Sequence, residues 1–172
     1  MCIRDRDIHS YRVSVCSAVR FDRAARAAAL GARFLVAPGL NAGVVRAAHA
    51  LGVPMLPGVA TASEVEAALG LGLRHLKFFP AEANGGVATL RALSGPYGGP
   101  GGGPGGGPGG AGGGGVRWMP TGGVQPGNVA DYMALGSVFC AGGTWLVPPA
   151  ALAAGDYAAV EALAREAVEA AR

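Results

Sequence analysis

The sequence predicts an α/β fold of repeated parallel βα units, and three observations carry that expectation. Short apolar runs alternate with alanine-rich runs of helical length along the chain. Glycine marks the ends of helical runs, as at Gly31 and Gly52. The chain has 172 residues, enough for one domain with a core, and 51% of them are hydrophobic against 15% charged.

Taken in order, a helix is expected over residues 21–30 with Gly31 as its stop, then a strand over 34–37 and a helix over 42–51 closed by Gly52. A short strand follows over 54–57. Thr61-Ala62-Ser63-Glu64 has the capping-box pattern and opens a helix to about Leu69. The strand that starts at His75 comes next. A helix over 87–93, a strand over 116–120, a helix over 126–135, a strand over 138–141 and a C-terminal helix over 157–170 complete the pattern. Five strands are countable after residue 17.

Residues 1–17 (MCIRDRDIHSYRVSVCS) break the composition, being charged and poor in alanine and glycine where the rest is rich in both. We expect a non-native leader there, of the kind left by adapter or assembly read-through, ahead of a domain over 18–172. The other reading is a genuine short strand over 11–15. A second break lies at 98–115, glycine interrupted by Pro100, Pro104 and Pro108. Prolines four apart do not give a collagen period, and the segment reads as a flexible insertion.

Composition narrows the partners. A net charge of +3 with no Lys/Arg stripe is no nucleic-acid footprint, so small molecules are the expected ligands. Cys2, Cys16 and Cys140 are odd in number and widely spaced, which indicates neither a disulfide framework nor a metal site. A reducing cytoplasm fits them. Residues 134–155 carry no charge, but Gly136, Gly142-Gly143 and Pro148-Pro149 cut that stretch too short for a membrane span. No signal-peptide core is expected at the N-terminus.

The chemistry is concentrated in His75-Leu76-Lys77-Phe78-Phe79-Pro80-Ala81-Glu82. Strand alternation puts His75, Lys77 and Phe79 on one face and Leu76 and Phe78 on the other. The second pair suits packing under helices. The first sets an ammonium beside an aromatic ring, where desolvation lowers the lysine pKa toward what an imine-forming nucleophile needs. An edge lysine in solvent is the alternative.

Two glycine pairs follow the last two strands directly, as Thr121-Gly122-Gly123 and Gly142-Gly143-Thr144. Backbone N–H groups in such turns can approach a phosphate closely, with a threonine hydroxyl beside each pair. Glycine pairs also mark tight βα turns.

Together with Ala37-Pro38-Gly39-Leu40, Pro120 ahead of Thr121, and Trp145-Leu146-Val147-Pro148, these runs resemble 2-dehydro-3-deoxy-phosphogluconate aldolases. The resemblance runs from about Ala18 to the C-terminus, broken at the glycine block. It implies a TIM (β/α)8 barrel of class I aldolase type, here incomplete with about the last five βα units. It implies cleavage of 2-dehydro-3-deoxy-6-phosphogluconate to pyruvate and glyceraldehyde 3-phosphate without metal or cofactor, by a homotrimer in the intact family. Lys77 would form the carbinolamine and Schiff base, with Phe79 and Pro38 near the pyruvyl unit. Thr121, Gly122, Gly123, Gly143 and Thr144 would surround the distal hydroxyls and phosphate. In such a barrel the glycine block falls on the face opposite the chemistry.

The departures from that pattern are specific. No Glu-Val-Thr-Leu-Arg-like run occurs, so the family's proton-shuttling glutamate and carboxylate-binding arginine have no counterpart, and Thr144 stands for a usual serine. Glu82 is the carboxylate nearest Lys77 in sequence but lies beyond Pro80, and the base role is not moved to it. A catalytically incompetent fragment, or a different phosphate-binding barrel such as a thiamine-phosphate synthase relative, is the alternative to a working aldolase.

Overall fold

The computed structural model describes residues 2–3, 14–16, 20–98 and 115–171. Most of the expected leader and residues 99–114 of the glycine block lie outside the described residues. Strand β1 is Cys2–Ile3 and β2 is Ser14–Cys16; helix α1 (Phe21–Ala29), β3 (Phe34–Val36), α2 (Ala42–Ala50), β4 (Met55–Leu56) and β5 (Gly58–Val59) follow. Then come α3 (Ala62–Gly70), β6 (His75–Phe78), α4 (Gly86–Tyr97), β7 (Arg117–Pro120), α5 (Val129–Met133), β8 (Ala141–Gly142), α6 (Pro149–Ala154) and α7 (Tyr157–Ala170). Short 3-10 turns occupy Glu82–Asn84 and Thr144–Leu146.

All pairings among β2 to β7 are parallel, in the orders β2-β3-β4 and β5-β6-β7, as βα units require. The strand expected over 54–57 is divided. Pro57 has no N–H to give a ladder, and the chain changes partner across it, β4 pairing with β3 and β5 with β6. One short segment thereby joins the two three-stranded sheets. Ser14–Cys16 pairs residue for residue with β3.

The last expected strand and the helix before it also differ from expectation. The strand over 138–141 forms only a parallel bridge from Val138 to Trp118, after which Ala141–Gly142 pairs antiparallel with β1. The helix over 126–135 shrinks to Val129–Met133, because the residues before it are taken up in a turn. In that turn the Asn128 side chain accepts from the Gln125 N–H at 2.8 Å and donates to the Gly123 carbonyl at 3.2 Å.

Helix boundaries follow local chemistry. Asn41 caps α2 by accepting from the Gly43 and Val44 N–H groups. At α3 the Thr61 hydroxyl accepts from the Glu64 N–H, and the Glu64 carboxylate accepts from the Thr61 N–H at 2.9 Å. Helices α1, α2 and α3 stop in the same way, a left-handed glycine followed by a residue whose N–H returns to the last turn, as Leu73 does to Ala68 at 3.1 Å.

Leu76 and Phe78 are fully buried in the cluster that holds Val65, Ala68, Leu90 and Trp118 from the surrounding helices and β7. Burial of each such side chain contributes about 1.5–3 kcal/mol. A second, smaller cluster of Val36, Leu56, Met119 and Cys140 packs separately from it. Met119 is the register partner of Lys77. Among the described residues no helix is long and apolar enough to cross a membrane.

Candidate active site

The site is built where β6 and β7 end. Lys77, the chain's only lysine, sits in the middle strand of its sheet and is 6% exposed. Its N–H bonds the Pro57 carbonyl at 2.9 Å, and its register neighbours are Gly58 on one side and Met119 on the other. Nζ lies 4.1 Å from the centroid of the Phe79 ring, inside the range for attraction between a cation and an aromatic face. A buried amine set against a ring has the fixed position that attack on a carbonyl needs.

His75 shares that strand face but is exposed. Its ring meets Phe139 edge-on at 5.2 Å. Partial burial, and then the Arg117 guanidinium opposite it, lower its pKa and favour the neutral ring.

Pro38 reaches the site through Gly58. A Cβ at Gly58 would fall inside the Pro38 carbonyl, so only glycine lets the segment after β3 lie against the strand residue facing Lys77. Nothing in the local sequence pattern marked Gly58; its reason is a neighbour twenty residues away.

Phe79 joins the two halves of the site. Its ring meets Gly122, where an added Cβ would stand 3.2 Å from two ring carbons. Gly122 and Gly123 have φ of 95° and 80°, so the turn after β7 needs glycine for its backbone as well as for space. Thr121 donates its N–H to the Phe78 carbonyl at 3.1 Å, and its own carbonyl accepts from Ala81 at 2.8 Å. Its Oγ1 is buried with no hydrogen-bond partner among the described residues. A buried hydroxyl without a partner costs free energy that a bound polar ligand would recover.

The second glycine pair adjoins the first through a parallel bridge between Thr121 and Gly142. Gly143 is extended, and it is glycine for room: an added Cβ would collide with the Trp145 indole and stand 3.2 Å from the Val124 carbonyl. Thr144 is exposed at the start of its 3-10 turn. Lys77, Phe79, Thr121, Gly122 and Gly123 are thus drawn into one region, with Gly142 and Gly143 beside Thr121 and Pro38 behind Gly58.

Sequence reasoning missed one contact here. The fully buried Tyr132 of α5 donates its phenol to Glu82 Oε1, fifty residues away. Burial first, and then this bond to the carboxylate, raise the Tyr132 pKa, so the phenol stays protonated. Among the described residues no three His, Cys, Asp or Glu side chains converge to hold a metal ion.

Comparison with known proteins identifies the relatives of the chain. The family model for KDPG and KHG aldolases matches residues 4–163. The KHG/KDPG aldolase of Escherichia coli K12 is 46% identical over 142 residues, 83% of this chain and 59% of its own length. The 2-dehydro-3-deoxy-phosphogluconate aldolase of Pseudomonas aeruginosa is 45% identical over 139 residues, 81% of this chain and 56% of its own. The chain therefore spans under two thirds of the length of these curated relatives. Among solved structures, KDPG aldolase from Legionella pneumophila, with pyruvate captured as a covalent carbinolamine, superposes with a TM-score of 0.75 at 32% identity, over 89% of this chain and 66% of that one. The Zymomonas mobilis ZM4 enzyme with 3-phosphoglycerate gives 0.74 at 32% identity, over 95% and 69%. A sequence match from residue 4 to residue 163 and a shared backbone lead to one conclusion, that the chain belongs to the KDPG and KHG aldolase family.

Proposed function

We propose that this chain carries the Schiff-base half of an aldolase site acting on 2-dehydro-3-deoxy-6-phosphogluconate, on an incomplete (β/α)8 barrel. The observation that carries the reading is Lys77, buried in the middle strand with its amine over Phe79. The Legionella relative captured with a pyruvate carbinolamine supports it.

In this reading the Lys77 amine adds to the C2 carbonyl, and the carbinolamine loses water to give an iminium. The C3–C4 bond then breaks, its electron pair passing to the iminium as an enamine while water takes the proton of the C4 hydroxyl and C4 becomes the aldehyde carbon of the departing glyceraldehyde 3-phosphate. Protonation of the enamine at C3 and hydrolysis release pyruvate and restore the amine. Thr121 supplies a buried hydroxyl, without a partner among the described residues, at the start of the turn after β7. Gly122, Gly123, Gly143 and Thr144 form the phosphate end, because backbone N–H groups of glycine turns can reach an anion unobstructed. Phe79 and Pro38 wall the three-carbon end.

The test is release of pyruvate from 2-dehydro-3-deoxy-6-phosphogluconate, with the chain at stoichiometric concentration over hours. Release by the chain and none by Lys77→Met is expected. Equal release by both, or none from a folded wild-type chain, contradicts the reading.

A further inference from the structure

Glu82 and Tyr132 are not part of the imine chemistry just proposed, yet several elements of the site converge on them. Glu82 opens the 3-10 turn after the lysine strand. Its N–H bonds the Gly122 carbonyl at 3.1 Å, and the neighbouring Ala81 N–H bonds the Thr121 carbonyl at 2.8 Å. Its side-chain methylenes lie where a Cβ on Gly123 would be, at 2.6 Å, so the second glycine of the turn is left bare to receive them. Its carboxylate accepts from the Tyr132 phenol. Gly86, with φ of 62°, closes the other side, since a Cβ there would stand 3.2 Å from Glu82 Oε1 and 3.5 Å from Tyr132 Oη.

Two glycines with left-handed backbones are thus shaped around one carboxylate–phenol pair. Tyr132 is fully buried on α5, which follows the β7 turn, whereas Glu82 belongs to the β6 loop. A hydrogen bond to a carboxylate is among the stronger kinds, and this one ties the β6 loop to the helix that follows the β7 turn, so that it braces the two backbone bonds between the loops.

We propose that Glu82, held by Tyr132, is a positioning residue that sets the spacing between the Lys77–Phe79 half of the site and the Thr121–Gly123 half. The reason for a carboxylate at 82 is then geometric: an acceptor of fixed reach, not a proton carrier. Glutamine at 82 keeps the acceptor oxygen; alanine at 82 or phenylalanine at 132 removes one side of the bond. The consequence for substrate rests on the aldolase reading. A ligand that reaches only Lys77 is indifferent to the spacing, and one that must touch both halves is not.

The experiment compares the full chain with Glu82→Gln, Glu82→Ala and Tyr132→Phe by two measurements. The first is amide hydrogen exchange. In Glu82→Ala and Tyr132→Phe the backbone amides at positions 81 and 82, whose bonds cross between the loops, should exchange about tenfold faster, while the Trp118 amide inside β7 is unchanged and Glu82→Gln matches the wild type. The second is borohydride trapping on Lys77, with pyruvate and separately with 2-dehydro-3-deoxy-6-phosphogluconate. Pyruvate trapping should stay within about twofold in Tyr132→Phe, and trapping of the six-carbon phosphate should fall about tenfold, a split that general destabilisation would not give. Unchanged exchange at positions 81 and 82 in both truncating variants overturns the proposal, as does loss in Glu82→Gln equal to that in Glu82→Ala, which would make the charge and not the spacing the requirement. Absence of any adduct in the wild-type chain counts against the aldolase reading, and the exchange data still decide whether the clamp exists.

Discussion

The amine of Lys77 stands 4.1 Å from the centre of the Phe79 ring two residues later in the same strand direction. That contact orients the amine and covers it, and the same ring leans on Gly122 across the site. Phe79→Ala should therefore lower the second-order rate of pyruvate trapping on Lys77 about tenfold, through lost orientation. Rapid-quench borohydride trapping measures it, with the melting temperature recorded alongside; an unchanged rate would show that the ring does not position the amine.

Gly123→Ala should destabilise the chain by about 2 kcal/mol or more, because alanine resists a left-handed backbone and its methyl meets the Glu82 methylenes. Gly127, with nothing within 4 Å of an added Cβ, is the control. Gly127→Ala should stay within about 0.5 kcal/mol in the same urea titration. Equal effects at the two positions would contradict the packing described around Glu82.

The Val116 N–H bonds the Tyr97 carbonyl at 2.8 Å, so the two ends of the glycine block are already tied together. Replacing residues 99–114 by a three-residue turn should preserve pyruvate trapping within about threefold and raise stability by roughly 1–1.5 kcal/mol, from about two and a half halvings of loop length. A large loss of trapping in a folded protein would mean that the block serves the site.

His75 gives a pH dependence with a definite sign. Its pKa is lowered in the folded chain, by burial and then by Arg117, so the unfolded chain binds its proton more readily. Stability from this group is complete above the unfolded value near 6.5 and declines as pH falls below it. His75→Phe keeps an aromatic edge toward Phe139 and removes the proton. Urea midpoints between pH 7.5 and 5.5 should fall less in His75→Phe than in the wild type; parallel curves would contradict the assignment.

What the sequence disclosed was governed by short-range rules. Alternation alone separated Lys77 and Phe79 from Leu76 and Phe78, and the structure buries the latter pair under helices as expected. The capping box at Thr61 and the helix Tyr157–Ala170 also follow from neighbours within a few residues. Helix α6 was legible from Pro149 in its first turn and the left-handed Gly155 after its end, yet no element was expected between the strand over 138–141 and the helix over 157–170. The partner switch at Pro57 depends on where β3 and β6 lie, and the bond between Glu82 and Tyr132 joins residues fifty apart. No local pattern encodes either.

Whether Lys77 is an imine-forming amine is decided by reductive trapping of pyruvate on the 172-residue chain, which needs a competent lysine and a keto group but no proton shuttle. Lys77 is the only lysine, so the adduct has one side-chain amine to occupy. A carboxyethyl group is expected on the Lys77 peptide after pyruvate and borohydride, and none in Lys77→Met. A folded chain that takes up no such group, or carries it on the N-terminal amine with Lys77 unmodified, would contradict that role for Lys77.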